Sequence, residues 1–273
     1  MSEPEQLSEF AKSLKLFDGL HLSALAISLL AIVVIPFIGR CLSAINRRRM
    51  MWLLVAFAIG QELVDYGNRA SLRELTLIKD LPLHLCKYSV IIATVSLITR
   101  KRFCFEFAYL IGTTGALQAI ITPAPAGLDN MTYLVTFFTH YAIIVLFPIW
   151  NILVDGMVTT RGAILRTMLF VNLMGIPVAT VNWLIGSNYM YLCTKPGVDS
   201  PFLVGDWPWY LIGLEVVALL LMAIASVPMI YLRRKEQSGQ ILNSKTKQIQ
   251  RTKIRIRNLF RISRLGFRIS QRS

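Results

Sequence analysis

The stretch KDLPLHLCKYSV, Lys79 to Val90, places His84, Cys86 and Lys87 directly ahead of the apolar run IIATVSLIT. A cysteine attacks as its thiolate, so it needs a base or a cation close by. His84 is a poor base for Cys86, because side chains two residues apart on a helix point to nearly opposite faces. His140, in FFTHYAIIV on a different segment, is the better one. Lys87 has three readings: it lowers the thiol pKa, binds phosphate, or reaches outward to the membrane surface. Cys86 has a second reading too, as the partner of Cys193 in a disulfide if the side they face is oxidising. A zinc site from His84, Cys86, His140 and a carboxylate lacks H-E-x-x-H or paired C-x-x-C spacing. P-loop, dinucleotide and G-x-S-x-G patterns are absent as well, so neither cofactor nor metal is expected.

The elements that carry these residues are membrane spans. Of 273 residues 55% are hydrophobic and 16% charged, with mean hydropathy +0.55, which is far from the balance of a soluble domain. The net charge of +14 lies between apolar runs and in the tail, so it reports topology and not a nucleic-acid partner. A span needs about 20 apolar residues. Seven segments qualify: His21–Ile38, Met51–Val64 (short), Leu81–Thr99, Phe103–Ile121, Tyr133–Val154, Ala163–Ile185 and Trp209–Leu232. The expected fold is all-α, a polytopic bundle of about seven helices over residues 21–232. A polar segment, 1–20, precedes it and a basic tail, 233–273, follows. The acidic N-terminus lacks a basic n-region, so the first span reads as retained. Arg40, Arg47–Arg49, Arg100–Arg102, Arg161, Arg166 and Arg233–Lys235 fall on alternate loops. The positive-inside rule then puts the N-terminus outside and the C-terminus in the cytoplasm. In KIRIRNLFRISRLGFRIS the basic residues recur at helical spacing, which suits a helix on an anionic cytoplasmic leaflet; a disordered tail is the rival reading.

With that topology the intramembrane polar residues gather at the outer side. They are Glu62 and Asp65, His84 and Cys86, Gln118 and Thr122, His140, Asn182, and Trp207, Trp209, Tyr210 and Glu215; Asn188 and Tyr189 lie in the adjoining outer loop. The inner half offers arginines at its border and little else ionisable. Such a layer is either a site or interhelical hydrogen-bond glue with an aromatic belt. Its one-sidedness favours a site, whose expected substrate-binding residues are Gln118, Thr122, Asn182, Asn188, Tyr189, Trp207, Tyr210 and Glu215.

LPLHLC, GTTGALQAIITP, FFTHYAIIV, NWLIGSNYMYLCTKP and GDWPWY occur in this order between Leu81 and Leu232. Together they resemble the YwaF-like bacterial integral membrane family, which is similar to the eukaryotic transmembrane protein 164 family. The resemblance implies a multi-pass protein of the bacterial inner membrane and a phospholipid acyltransferase that carries the acyl chain on a cysteine. Cys86 matches that cysteine and His140 the second-motif histidine. In the reaction expected here, His84, Gln118 or Asn182 steadies the oxyanion. Lys87 departs from the small or acidic residue of many relatives. Two rival classes remain at this stage. One is a small-solute transporter using the same polar layer. The other is a seven-helix sensor with the Gly186–Asp206 loop as lid.

Overall fold

Each apolar segment folds as helix, and the described residues contain no strand. The computed structural model describes residues 16–123, 130–196, 203 and 205–235. The expectations for residues 1–15 and for the tail beyond 235 lie outside them. The helices are α1 (Gly19–Cys41), α2 (Ala44–Leu72), α3 (Leu85–Thr99), α4 (Arg102–Ile121), α5 (Met131–Leu153), α6 (Ala163–Ile185) and α7 (Trp209–Lys235). Two compact units are distinguished, Met1–Ser226 and Val227–Ser273, and the site lies in the first.

The ends follow from local chemistry. Asp18, Ser43 and Asn130 cap α1, α2 and α5 by accepting from His21 N, Asn46 N and Tyr133 N, which satisfies backbone donors that the first turn leaves open. Glycines in the left-handed region bound α6 at Gly162 and Gly186. Within α4, Ala108–Gly112 form a π segment in which all five residues are buried.

Five helices, α1, α4, α5, α6 and α7, are long and apolar enough to cross a membrane. The other two differ from expectation in opposite directions. The short second span becomes a helix of 29 residues, because Arg47–Arg49 and the polar stretch after Val64 continue its turns. The third starts at Leu85 and not Leu81, and has 15 residues, about 22 Å, against the ~30 Å of a hydrocarbon core. Pro82 lies in the loop that precedes it, three residues before Leu85. The turn missing from α3 leaves room for a cavity at that end.

Helix α5 is the axis of the first unit. It packs against α1, α2, α3 and α4 and buries side chains around its whole circumference, Ile144, Phe147 and Trp150 among them. By contrast α6 shows Leu165, Leu169, Leu173 and Ile176 at its surface, an apolar face suited to lipid. His21 joins α1 to α4: Nδ1 accepts from Phe17 N (2.9 Å), so Nε2–H donates to the Ile120 carbonyl (3.1 Å). At the far end of the bundle Glu106 is buried, accepts from Thr160 N (2.7 Å) and pairs with Arg166 (2.7 Å). Asp155 meets Arg100 there at 2.9 Å, so that end is not bare of acids.

Close approach of α1 and α5 depends on Gly39. A Cβ at this position would lie 2.3 Å from the Trp150 ring, which is 1% exposed and has no room to retreat. Gly39→Ala is therefore expected to destabilise the bundle by about 1–3 kcal/mol, the usual cost of overpacking. A melting curve of the purified protein in detergent reads this, and an unchanged midpoint would contradict the packing described.

Candidate functional site

Helices α2 and α5 are laced together by side-chain rungs, the first two from adjacent residues of α2 and the others about a turn apart. Outermost, Asn68 and Asn130 exchange amide hydrogen bonds of 3.3 and 3.1 Å. Below them Arg69 donates to Tyr133 OH (3.1 Å), then Thr136 Oγ1 donates to Asp65 Oδ1 (3.3 Å). The deepest rung joins Glu62 Oε1 to His140 Nδ1 at 2.5 Å. The register follows from spacing, since residues 62, 65 and 69 and residues 133, 136 and 140 each lie on one helical face.

A third helix completes the site. Lys87 of α3 reaches Glu62 Oε2 at 2.6 Å and Asp65 Oδ2 at 3.2 Å, with its ammonium 5.3 Å above the Tyr66 ring. It does not reach outward, because the half-buried carboxylate of Glu62 and the buried one of Asp65 attract it inward. Charges in the network alternate and cancel: Lys87, Arg69 and Arg73 against Glu62, Asp65 and Asp80. Asp80, in the loop after α2, receives Arg73 at 2.7 Å and Thr76 N at 2.8 Å. The Arg73 guanidinium, helped by that N–H, holds its carboxyl below the usual aspartate value despite its burial. The clasp it forms is complete above about pH 4 and is lost as the pH falls through that depressed value.

The carboxylate on Nδ1 selects the His140 tautomer. Glu62 accepts the Nδ1 proton, so Nε2 is left with its lone pair, and Nε2 is buried without a hydrogen-bond partner. The Cys86 thiol and the Tyr141 hydroxyl lie beside this imidazole. Cys86 is the second residue of α3, and its N-cap, His84, supplies no side-chain cap. The N–H groups of Leu85 and Cys86 therefore have no acceptor within the helix, and the positive end of the helix dipole lies beside the sulfur. A cavity of about 290 Å³ adjoins these groups, lined by Cys86, His140 and Tyr141 at its inner side and by Arg69, Lys79 and His84 elsewhere.

Residues 16–226 match the TMEM164 family. The chain belongs to the TMEM164 family. The match reaches across the first two helices, beyond the segment that carries the five motifs, and stops short of the basic tail. No curated protein and no solved structure matches the chain.

In this TMEM164 family member the expected site residues separate into groups. Cys86, His140 and His84 line one cavity. His84 does so from outside the helix, where the opposite-face rule no longer applies; its Nδ1 accepts from Met190 N (3.4 Å) and its ring packs edge-on to Tyr189. Tyr189 is buried, donates to the Leu77 carbonyl (2.6 Å) and accepts from Leu81 N (2.9 Å), so it shapes the 77–84 loop. Asn182 holds Tyr189 in turn, through both its backbone N and its carbonyl. Tyr210 donates to the Tyr191 carbonyl (2.5 Å), Trp207 to that of Leu192 (3.1 Å), and Asn188 folds onto Thr194. These five residues build the cover next to His84 and do not line the cavity themselves. Glu215 instead accepts from Asn172 between α7 and α6 (3.2 Å). Gln118 and Thr122 are exposed at the end of α4, joined to each other through the Gln118 carbonyl. Cys86 and Cys193 are both free thiols, so the disulfide reading falls.

Arg69 and Tyr141 escaped the sequence-based site, and Glu62 and Asp65 stood in its polar layer without an assigned role. The signal available was three ionisable residues at positions 62, 65 and 69 on one face of an apolar helix. Tyr141 had no signal beyond its place next to His140.

Proposed function

We propose that this protein is a cysteine-dependent lipid acyl-transfer enzyme, the phospholipid being the acyl donor. The observation that carries the reading is the series Cys86, His140, Glu62 beside a cavity at the end of a membrane bundle. It has the order of a nucleophile, a base and a group that orients the base.

His140 Nε2 takes the thiol proton, and the Cys86 sulfur attacks the ester carbonyl carbon. The tetrahedral oxyanion is met by the N–H groups of Leu85 and Cys86, with the Tyr141 hydroxyl as a further donor. Collapse breaks the bond to the lipid alkoxide, which leaves as an alcohol after receiving the proton from His140. The acyl group remains on sulfur as a thioester. An acceptor alcohol then gives its proton to His140, attacks the thioester and departs acylated, restoring the thiol. Glu62 stabilises the imidazolium at each step, and Lys87 keeps Glu62 anionic and oriented.

Incubation of the purified protein with acyl-labelled phospholipid tests this, since a hydroxylamine-labile label on Cys86 is required. Absence of that label with every glycerolipid offered would sink the reading. The Lys/Arg asymmetry supports placing the cavity at the outer leaflet. A single cysteine introduced at Leu75, on a background without native cysteines, is expected to react with an impermeant thiol reagent in intact cells. Reaction only after the cells are opened would reverse the orientation.

A further inference from the structure

The cavity carries one cation more than it can pair. Arg69, Lys79 and Lys87 line it against Asp65 and Asp80. The charges behind that lining, Glu62 and Arg73, cancel each other. Lys87 is committed to Glu62 and Asp65, and Arg69 to Asp65, to Asp80 (3.8 Å) and to the Tyr133 hydroxyl. Lys79 alone among the described cations of the cavity has no carboxylate within ion-pair distance, and its side chain is exposed. Its position is held all the same: Lys79 N and Asp80 N bond back to the Thr76 carbonyl (3.3 and 2.9 Å), and Asp80 is clasped by Arg73.

We infer that Lys79, with Arg69 beside it, forms an anion subsite that receives the phosphodiester of the lipid whose ester meets Cys86. The inference rests on the acyl-transfer reading for that ester. Distance supports it. From the Glu62–His140 rung to the Arg69–Tyr133 rung is two turns of α2, about 10 Å along the helix. Glycerol carbons and two ester oxygens alone separate a glycerophospholipid's acyl carbonyl from its phosphorus, a reach that fits within those two turns. The ester thus lies at the thiol with the phosphate toward Lys79. A diacylglycerol has the same esters and no anion, so the subsite selects between donors that are otherwise alike. Free inorganic phosphate offers the same chemistry and is the other source to be distinguished.

The test uses the full-length protein in detergent with two donors of identical short acyl chains, a phosphatidylcholine and a diacylglycerol. Acyl-enzyme formation is expected to favour the phosphatidylcholine by about tenfold, the range of a partly screened charge-assisted contact. Lys79→Gln should collapse that preference toward one, and Lys79→Arg should retain it. In the Cys86→Ala background, where no chemistry follows, equilibrium binding of the two lipids should show the same Lys79-dependent preference. A preference that survives Lys79→Gln in both assays overturns the subsite. Absence of acyl-enzyme from either donor, together with a Lys79-dependent binding preference, upholds the subsite and removes only the transfer reading. Inorganic phosphate that binds in a Lys79-dependent way and is not displaced by the phosphatidylcholine would overturn the lipid assignment.

Discussion

Cys86→Ala is expected to abolish acyl-enzyme formation and turnover while the bundle stays folded. Alanine removes a single sulfur from a half-buried position, so the packing loss is of the order of 1 kcal/mol, small against a typical folding free energy. Chemistry by contrast loses the one thiol of the cavity, since none of the other three cysteines lines it. Cys86→Ser is the sharper variant. It preserves size and still loses most activity, because a hydroxyl is far harder to deprotonate at neutral pH than a thiol. Hydroxylamine-labile labelling and the melting midpoint are measured side by side on each variant. Labelling of wild type and Cys86→Ala to the same extent would end the nucleophile assignment.

Glu62→Gln is expected to lower the rate of acyl-enzyme formation by about 10²–10⁴-fold, comparable with the loss of the orienting carboxylate in other nucleophile–histidine systems. The amide is close to the carboxylate in size, so the α2–α5 contact survives. What changes is the hydrogen bond at 2.5 Å to Nδ1. An amide NH₂ turned toward Nδ1 holds the proton on Nε2, the wrong tautomer for taking one from sulfur, and no negative charge remains to stabilise the imidazolium. Lys87 keeps Asp65 as its partner at 3.2 Å, which limits the structural damage. The decisive comparison is the rate per folded molecule. If Glu62→Gln lowers the melting midpoint yet leaves that rate at the wild-type value, the rung is a structural tie between helices and not part of a catalytic series.

His84 and Lys87 show where one-dimensional reasoning reached its limit. The expectation for His84 assumed a helix running from Leu81, and on that helix its side chain points away from Cys86. Backbone held by Tyr189 at Leu77 and Leu81 delays the helix to Leu85 and turns His84 into the same cavity. Lys87 had three readings open because each depended on what lay across from it. Glu62 and Asp65 lie there, 25 and 22 residues earlier in the chain, and they take up its charge. The polar layer likewise divided by partner. Asn182, Asn188, Tyr189, Trp207 and Tyr210 satisfy backbone groups of a loop, whereas Glu62 and Asp65 serve the cavity.

The order and approximate place of the helices and the candidacy of Cys86 and His140 were legible in the sequence by itself. Each rests on local composition: apolar length sets a span, and an ionisable residue within one is costly enough to signal a use. The link between Glu62 and His140, across 78 residues, was not legible. Neither was the late start of α3, nor the cavity that this start opens. They depend on the rotation and register of α2, α3 and α5 about one another, which periodicity within a single helix leaves undetermined. Tertiary packing decided which face of α2 meets α5, and with it which carboxylate orients the base.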